Sequence, residues 1–210
     1  MAYTLDAQEQ ETLTTYNIVA PEWNRTNMAH WKDRVFYDFV SRLPGNLLLD
    51  IGCGTGWDAE LFTSEGLRYV GIDISSGMLT EARKDNAHLI DTKAVRFARM
   101  NMAELGFHSD TFDGFSVITS LMHIPRPKVP AVLSEIYRVT KPGGAGWIAV
   151  PYGTFEGMYG GEIGNEPKKT EQVLSNCWLP ETLEPLLIAA GFTIVMCHLY
   201  SHMLFFIIEK

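Results

Sequence analysis

Two rhythms of apolar and polar positions alternate along the chain. Met28, Trp31, Val35, Phe36, Phe39 and Val40 recur at helical spacing, which predicts helix over about residues 4–43. Residues 47–49 are then three leucines in a row, closed by Asp50. A short run with no polar face reads as a strand covered on both sides. Further strands are predicted at about 69–73, 94–99, 113–119 and 145–150. Helical segments fall between them: from Trp57 to a glycine stop at Gly66, from a Ser75 cap to about Leu89, and over 126–139. In the last of these Pro127 occupies the first turn, and Val129, Val132, Leu133, Ile136 and Val139 form one stripe. Residues 141–144, Lys-Pro-Gly-Gly, stop it. A helix over about 181–190 ends at Gly191, and the runs 193–200 and 203–209 are close enough to form a hairpin. Strand–helix alternation predicts a mostly parallel sheet with right-handed crossovers, helices on both faces and an antiparallel last strand.

The most informative chemistry lies where the first strand ends. Residues 50–56 read Asp-Ile-Gly-Cys-Gly-Thr-Gly, with glycines on alternate positions 52, 54 and 56. Such a turn brings backbone close to a ligand with no Cβ in the way, and a helix predicted to follow at once aims its free N–H groups at it. A nucleotide-like cofactor is expected. The dinucleotide fingerprint is G-x-G-x-x-G, but the position of its third glycine holds Trp57. Asp50 would repel a pyrophosphate and suits a cation. S-adenosylmethionine fits, since it has no phosphate and carries a sulfonium and an ammonium. Asp73 ends the second strand, where a carboxylate accepts two hydrogen bonds from a ribose diol; alone, it reads equally well as a strand-end cap.

These residues resemble the class I S-adenosylmethionine-dependent methyltransferases. The matching text is Leu49-Asp50-Ile51-Gly52-Cys53-Gly54-Thr55-Gly56, then residues 71–79 around Asp73 and Met78, then 97–105 around Asn101. It continues through Phe112-Asp113, Leu121-Met122-His123 and residues 137–144. The likeness is to the group that includes quinone-biosynthesis and small-acid enzymes, and it covers nearly the whole chain. It implies a Rossmann-like α/β fold with a seven-stranded sheet in the order 3-2-1-4-5-7-6 and an N-terminal helical cap. It also implies one domain over 1–210: cap 1–43, cofactor core 44–150, substrate lid 151–178, and a C-terminal helix and hairpin 179–210.

In such a sheet the ligand lies beyond the carboxyl ends of strands one and four, where the strand order reverses. Tyr16, Asp50, Gly52, Cys53, Gly54, Thr55, Gly56, Asp73, Ile74, Met78, Asn101, Met102 and Ile118 are therefore the expected cofactor positions. Asn101 stands where the family often has Asp, and it is expected to bond the adenine amino group; the bland alternative is a turn residue. Met78 and Met102 are expected to sandwich the adenine, or else to be plain core. Tyr16 could lie over the sulfonium, where a π face favours a cation, or staple the cap together. His123 follows strand four and is the candidate base, with local packing as the alternative. Residues 151–178 show no periodicity and mix glycines with aromatics, so Tyr152 and Tyr159 are the candidate substrate contacts.

Composition narrows the rest. A length of 210 residues suits one domain, 46% hydrophobic residues suits a globular one, and no apolar run is long enough to cross a bilayer. Acids at 6, 9 and 11 do not fit a secretory signal, so a cytoplasmic protein is expected. Three scattered cysteines offer neither a disulfide framework nor metal-ligand spacing. A net charge of −8 with no basic run argues against nucleic acid. The leading expectation is a methyltransferase that converts S-adenosylmethionine to S-adenosylhomocysteine by methylating O, N, S or C of a small molecule. The alternatives are an RNA, tRNA or protein methyltransferase on the same fold, and a non-catalytic cofactor-binding module.

Overall fold

The central strands predicted at 47–50, 113–119 and 145–150 have no face to give to water, so they pair with their neighbours and take helices on both sides. The computed structural model describes residues 3–23, 33–160 and 172–210. Its main sheet holds β1 (Leu47–Ile51), β2 (Arg68–Asp73), β3 (Val95–Arg99), β4 (Phe112–Ile118), β5 (Thr140–Pro151), β8 (Thr193–Tyr200) and β9 (Met203–Glu209). The order is β3-β2-β1-β4-β5-β9-β8. The first five are parallel, and β9 runs antiparallel to both β5 and β8. With two extra strands set aside in a separate hairpin, this is the order the family resemblance implied.

Alternation along each central strand feeds two cores. On one face Leu49, Phe115, Val117 and Phe206 meet α6 (Val129–Val139) and α7 (Pro180–Ala189). On the other Leu48, Trp147 and Phe205 meet α2 (Asp33–Ser41), α3 (Ala59–Ser64) and α4 (Ser76–Asp85). Trp147 is fully buried, with Phe36, Phe39 and Phe62 at ring centroid distances of 6.1, 6.0 and 6.3 Å. Burying four aromatic side chains of this size anchors that face of the sheet.

The structure departs from the sequence expectations in five places. The N-terminal helix is broken. α1 (Ala7–Val19) opens on an Asp6–Glu9 capping box, and Pro21 then enters a 3-10 turn, Ala20–Glu22. Met28 and Trp31 lie outside the described residues. Helix α3 does not follow the glycines at once, because residues 53–56 and 56–59 close successive turns before it starts. The helix expected over 75–89 divides at Asn86, whose amide donates to the carbonyls of Ala82 and Thr55; α5 (Ala87–Asp91) follows. Strand β5 begins at Thr140, so residues 141–144 belong to it rather than to a loop. The segment 151–178, expected to lack structure, contains β6 (Glu156–Gly160) paired antiparallel with β7 (Gln172–Asn176). Its glycines hide the strand pattern, and the hairpin docks on α1: Leu174 N–H donates to Thr12 Oγ1 at 2.8 Å, and Thr15 Oγ1 donates to the Gln172 carbonyl at 2.8 Å. Among the described residues no helix is long and apolar enough to cross a membrane.

Candidate active site

The glycine turn is held by the strand beside it. Gly52 and Cys53 N–H donate to the Ile72 carbonyl at 2.8 and 2.9 Å. Gly54 N–H donates to Asp73 Oδ2 at 2.9 Å, and Ser75 N–H donates to Asp73 Oδ1 at 2.8 Å. Each carboxylate oxygen keeps acceptor capacity toward the crevice. Burial raises the Asp73 carboxyl, against the backbone donors Ser75, Gly54 and Ile74 that hold its charged form. Two glycines serve different ends, both at positive φ. A Cβ on Gly52 would stand 2.3 Å from Ser120 Cβ, so that position is closed by packing. A Cβ on Gly54 would meet nothing within 4 Å, so this backbone faces open space.

Beneath the turn, Asp50 accepts from the Tyr69 hydroxyl at 2.5 Å and from the Ser116 hydroxyl at 2.8 Å. Its charge is held by hydroxyls on the flanking strands rather than left entirely to a ligand. Cys53 is buried; burial and the nearby Asp73 and Asp50 push its thiol upward, so it stays protonated.

The turn opens into a cavity of about 260 Å³. Every expected cofactor position lines it except Gly56, which faces Phe97 and Asn86 instead. Asn101 lines it, but its Oδ1 also accepts from Ala103 N–H at 2.9 Å, so the turn role is present as well. Met78 lines it while packing against Val19 and Ala20.

At the other end α1 roofs the cavity with Glu9, Thr12, Leu13 and Tyr16, and Leu5, Trp23 and Ile124 extend the wall. His123 reaches in from a 3-10 turn, Leu121–His123, just after β4. Its Nδ1 lies 2.5 Å from the Leu174 carbonyl oxygen, and its Nε2 lies 2.8 Å from the Tyr16 hydroxyl. Burial pushes the imidazole down to about 4, with the Leu174 contact opposing. Burial raises the Tyr16 hydroxyl, and Asp73 adds to the effect. The roof is pinned from below. Lys128 pairs with Glu9 and, at 3.1 Å, with Asp6; Arg126 pairs with Glu156 at 2.9 Å and stacks 4.2 Å from the Trp178 ring centroid.

Tyr152 and Tyr159, expected to touch substrate, lie outside the cavity and are exposed. β7 takes the inner place against α1 and leaves β6 outside, where Tyr159 contacts only Phe155 among the described rings. Among the lining residues that sequence reasoning missed are Leu5, Thr12, Leu13 and Ile124. The buried face of α1 mixes Thr12 and Thr15 with Leu13 and Val19, so its apolar stripe gave no signal.

A crevice cut where strand order reverses, with a glycine turn on one side and an added roof on the other, marks a Rossmann-like fold of the methyltransferase type. Residues 48–144 match the family model described as methyltransferase domain. The chain is 30% identical over 148 residues to a demethylmenaquinone methyltransferase of Renibacterium salmoninarum, covering 67% of this chain and 59% of that one. It is 34% identical over 109 residues to a ubiquinone biosynthesis O-methyltransferase of Hahella chejuensis, covering 51% and 44%. The solved structure of a DhpI–SAH complex superposes with a TM-score of 0.73 at 18% identity, over 98% of each chain. Over residues 48–144 the chain carries the pattern of the methyltransferase-domain family, and its fold is shared with S-adenosylmethionine-dependent methyltransferases of known structure. It spans about three fifths of the length of the demethylmenaquinone methyltransferases it matches.

Proposed function

We propose that this protein transfers a methyl group from S-adenosylmethionine to a small molecule held under α1 and the β6–β7 hairpin, leaving S-adenosylhomocysteine. The observation that carries this reading is the Gly54–Asp73 contact at the edge of an open glycine face. A ribose diol there meets a carboxylate already oriented by two backbone donors, and a phosphate would meet the acids Asp50 and Asp73 instead. When bound, the cofactor supplies an electrophilic methyl on a sulfonium. The chain's own part is to align the acceptor and exclude water, which the apolar wall of Leu13, Trp23 and Ile124 under α1 serves.

A cavity of about 260 Å³ roofed by α1 suits a small acceptor better than a polymer, and a net charge of −8 disfavours RNA. The named relatives act in quinone chemistry, which supports an apolar or aromatic acceptor. The three free thiols suit a cytosolic setting, and the β6–β7 hairpin, docked on α1, works as part of one domain. Calorimetric titration with S-adenosylmethionine, S-adenosylhomocysteine and NAD tests the cofactor; tight binding of NAD alone overturns the reading. Labelled methyl transfer into a metabolite extract, against an RNA fraction, tests the acceptor class, and label in RNA alone overturns it.

A further inference from the structure

The geometry points to Tyr16 as the catalytic group that meets the acceptor, with His123 behind it as the proton receiver and the main chain of β7 fixing the imidazole; the acceptor it serves carries an ionisable hydroxyl. This rests on the methyltransferase reading above.

The argument starts from hydrogen-bond direction. A carbonyl oxygen only accepts, so the Leu174 contact places the ring proton of His123 on Nδ1. The neutral ring then has one basic lone pair, on Nε2, and the Tyr16 O–H donates to it at 2.8 Å. An acceptor molecule cannot take that lone pair without displacing Tyr16. The Tyr16 oxygen keeps lone pairs of its own, lies in the cavity wall and feels Asp73 at the cofactor end. It therefore stands between the two halves of the site.

The dyad belongs to a closed circuit. Thr12 and Tyr16 share one face of α1, four residues apart. Thr12 Oγ1 accepts from Leu174 N–H, the Leu174 carbonyl accepts from His123, and His123 accepts from Tyr16. A histidine merely filling space would not need the N–H and the carbonyl of one β7 residue and two successive turns of a helix to fix it.

The step balances. The hydroxyl proton of the acceptor moves to Tyr16 Oη as the Tyr16 proton moves to His123 Nε2. The acceptor oxygen bonds to the methyl carbon as the carbon–sulfur bond breaks, and that electron pair stays on sulfur. The positive charge that appears on the imidazole replaces the one lost from sulfur, so the net charge of the cavity is constant. This lets a buried imidazole, held neutral at rest, take a proton during the reaction. The other titratable groups lining the cavity are Glu9 on α1, Asp50 on β1, Cys53 and Asp58 in the glycine turn, and Asp73 on β2; among the described residues none of them hydrogen-bonds the imidazole.

Nitrogen-detected NMR of the histidine rings tests the circuit without any acceptor. The His123 signal is assigned by its loss in His123→Gln. The Nδ1–H tautomer, titrating near 4, is expected; the opposite tautomer or titration near the free value of 6.5 overturns the proposal. Thr12→Val should shift the same signals, and unchanged shifts would break the circuit. With labelled methyl donor and a small-molecule extract, Tyr16→Phe and His123→Gln should each lose about 10²-fold in kcat, with the double variant no worse than either single one. Donor affinity should stay within about threefold, because phenylalanine keeps the ring face. Full transfer by Tyr16→Phe overturns the relay, whereas absence of donor binding in the wild type overturns the methyltransferase reading and leaves the NMR result to decide the circuit.

Discussion

The two ends of the cavity are built in opposite ways. The cofactor end comes from strand tips: β1, the glycine turn and β2 are neighbours in both sequence and space, and Gly54 reaches Asp73 across 19 positions. The acceptor end is assembled from far apart. Tyr16 meets His123 across 107 positions, and Thr12 meets Leu174 across 162. The first end rests on a buried sheet. The second rests on one helix, one hairpin and two cationic side chains. Damage to the first should therefore appear as lost affinity, and damage to the second as lost turnover or looser packing.

The sharpest way to break this contrast is Gly54→Val. The new side chain enters open space at a positive φ, so folding should suffer only the backbone strain of about 1–2 kcal/mol, while donor binding should fall below detection by calorimetry. Retained affinity would put the ligand elsewhere.

A second effect belongs to the acceptor end and is read as stability. The unfolded chain protonates His123 near 6.5, and the folded protein resists until about 4. Between those values the unfolded state binds more protons, so stability falls as pH falls, by up to roughly 3 kcal/mol. Denaturant melts at pH 7 and pH 4.5 should show that loss in the wild type and a flatter profile in His123→Gln. Equal slopes would mean that the ring is not held neutral.

Asp73→Ala should weaken donor binding by roughly 1–3 kcal/mol, the scale of an unpaired polar contact. Lys128→Met should loosen the roof by about 1 kcal/mol at low salt, less at high salt, with donor affinity unchanged. Smallest of all, Tyr159→Ala should alter labelled methyl transfer by less than about twofold, since the side chain is exposed and away from the cavity.

The same contrast explains what could be read from the chain beforehand. The leucine run at 47–49, the glycine turn and Asp73 are local patterns, and local patterns report strand tips faithfully. Strand order needed the family likeness. The break at Pro21 was open to the rule that proline ends a helix, but the apolar spacing over 28–40 was extended back across it. The hairpin β6–β7 was invisible, because its stability comes from α1, more than 150 positions away. Tyr152 and Tyr159 were chosen for their aromatic rings, and nothing in their neighbourhood says which strand of a hairpin faces inward. Leu174 gave no hint, since its part is played by its amide and carbonyl.

That last point has a consequence for how this protein tolerates change. An ordinary substitution scan at position 174 tests a side chain, whereas the circuit runs through the backbone N–H and carbonyl that nearly every amino acid carries alike. Leu174 is buried, so truncating it would cost packing, but an apolar replacement of similar volume would leave the hydrogen bonds to Thr12 and His123 whole. Proline, lacking the amide hydrogen that Thr12 receives, would cut the link to α1 while keeping the carbonyl that meets His123, so a survey of side chains alone would register the packing at this position and miss what its backbone holds together.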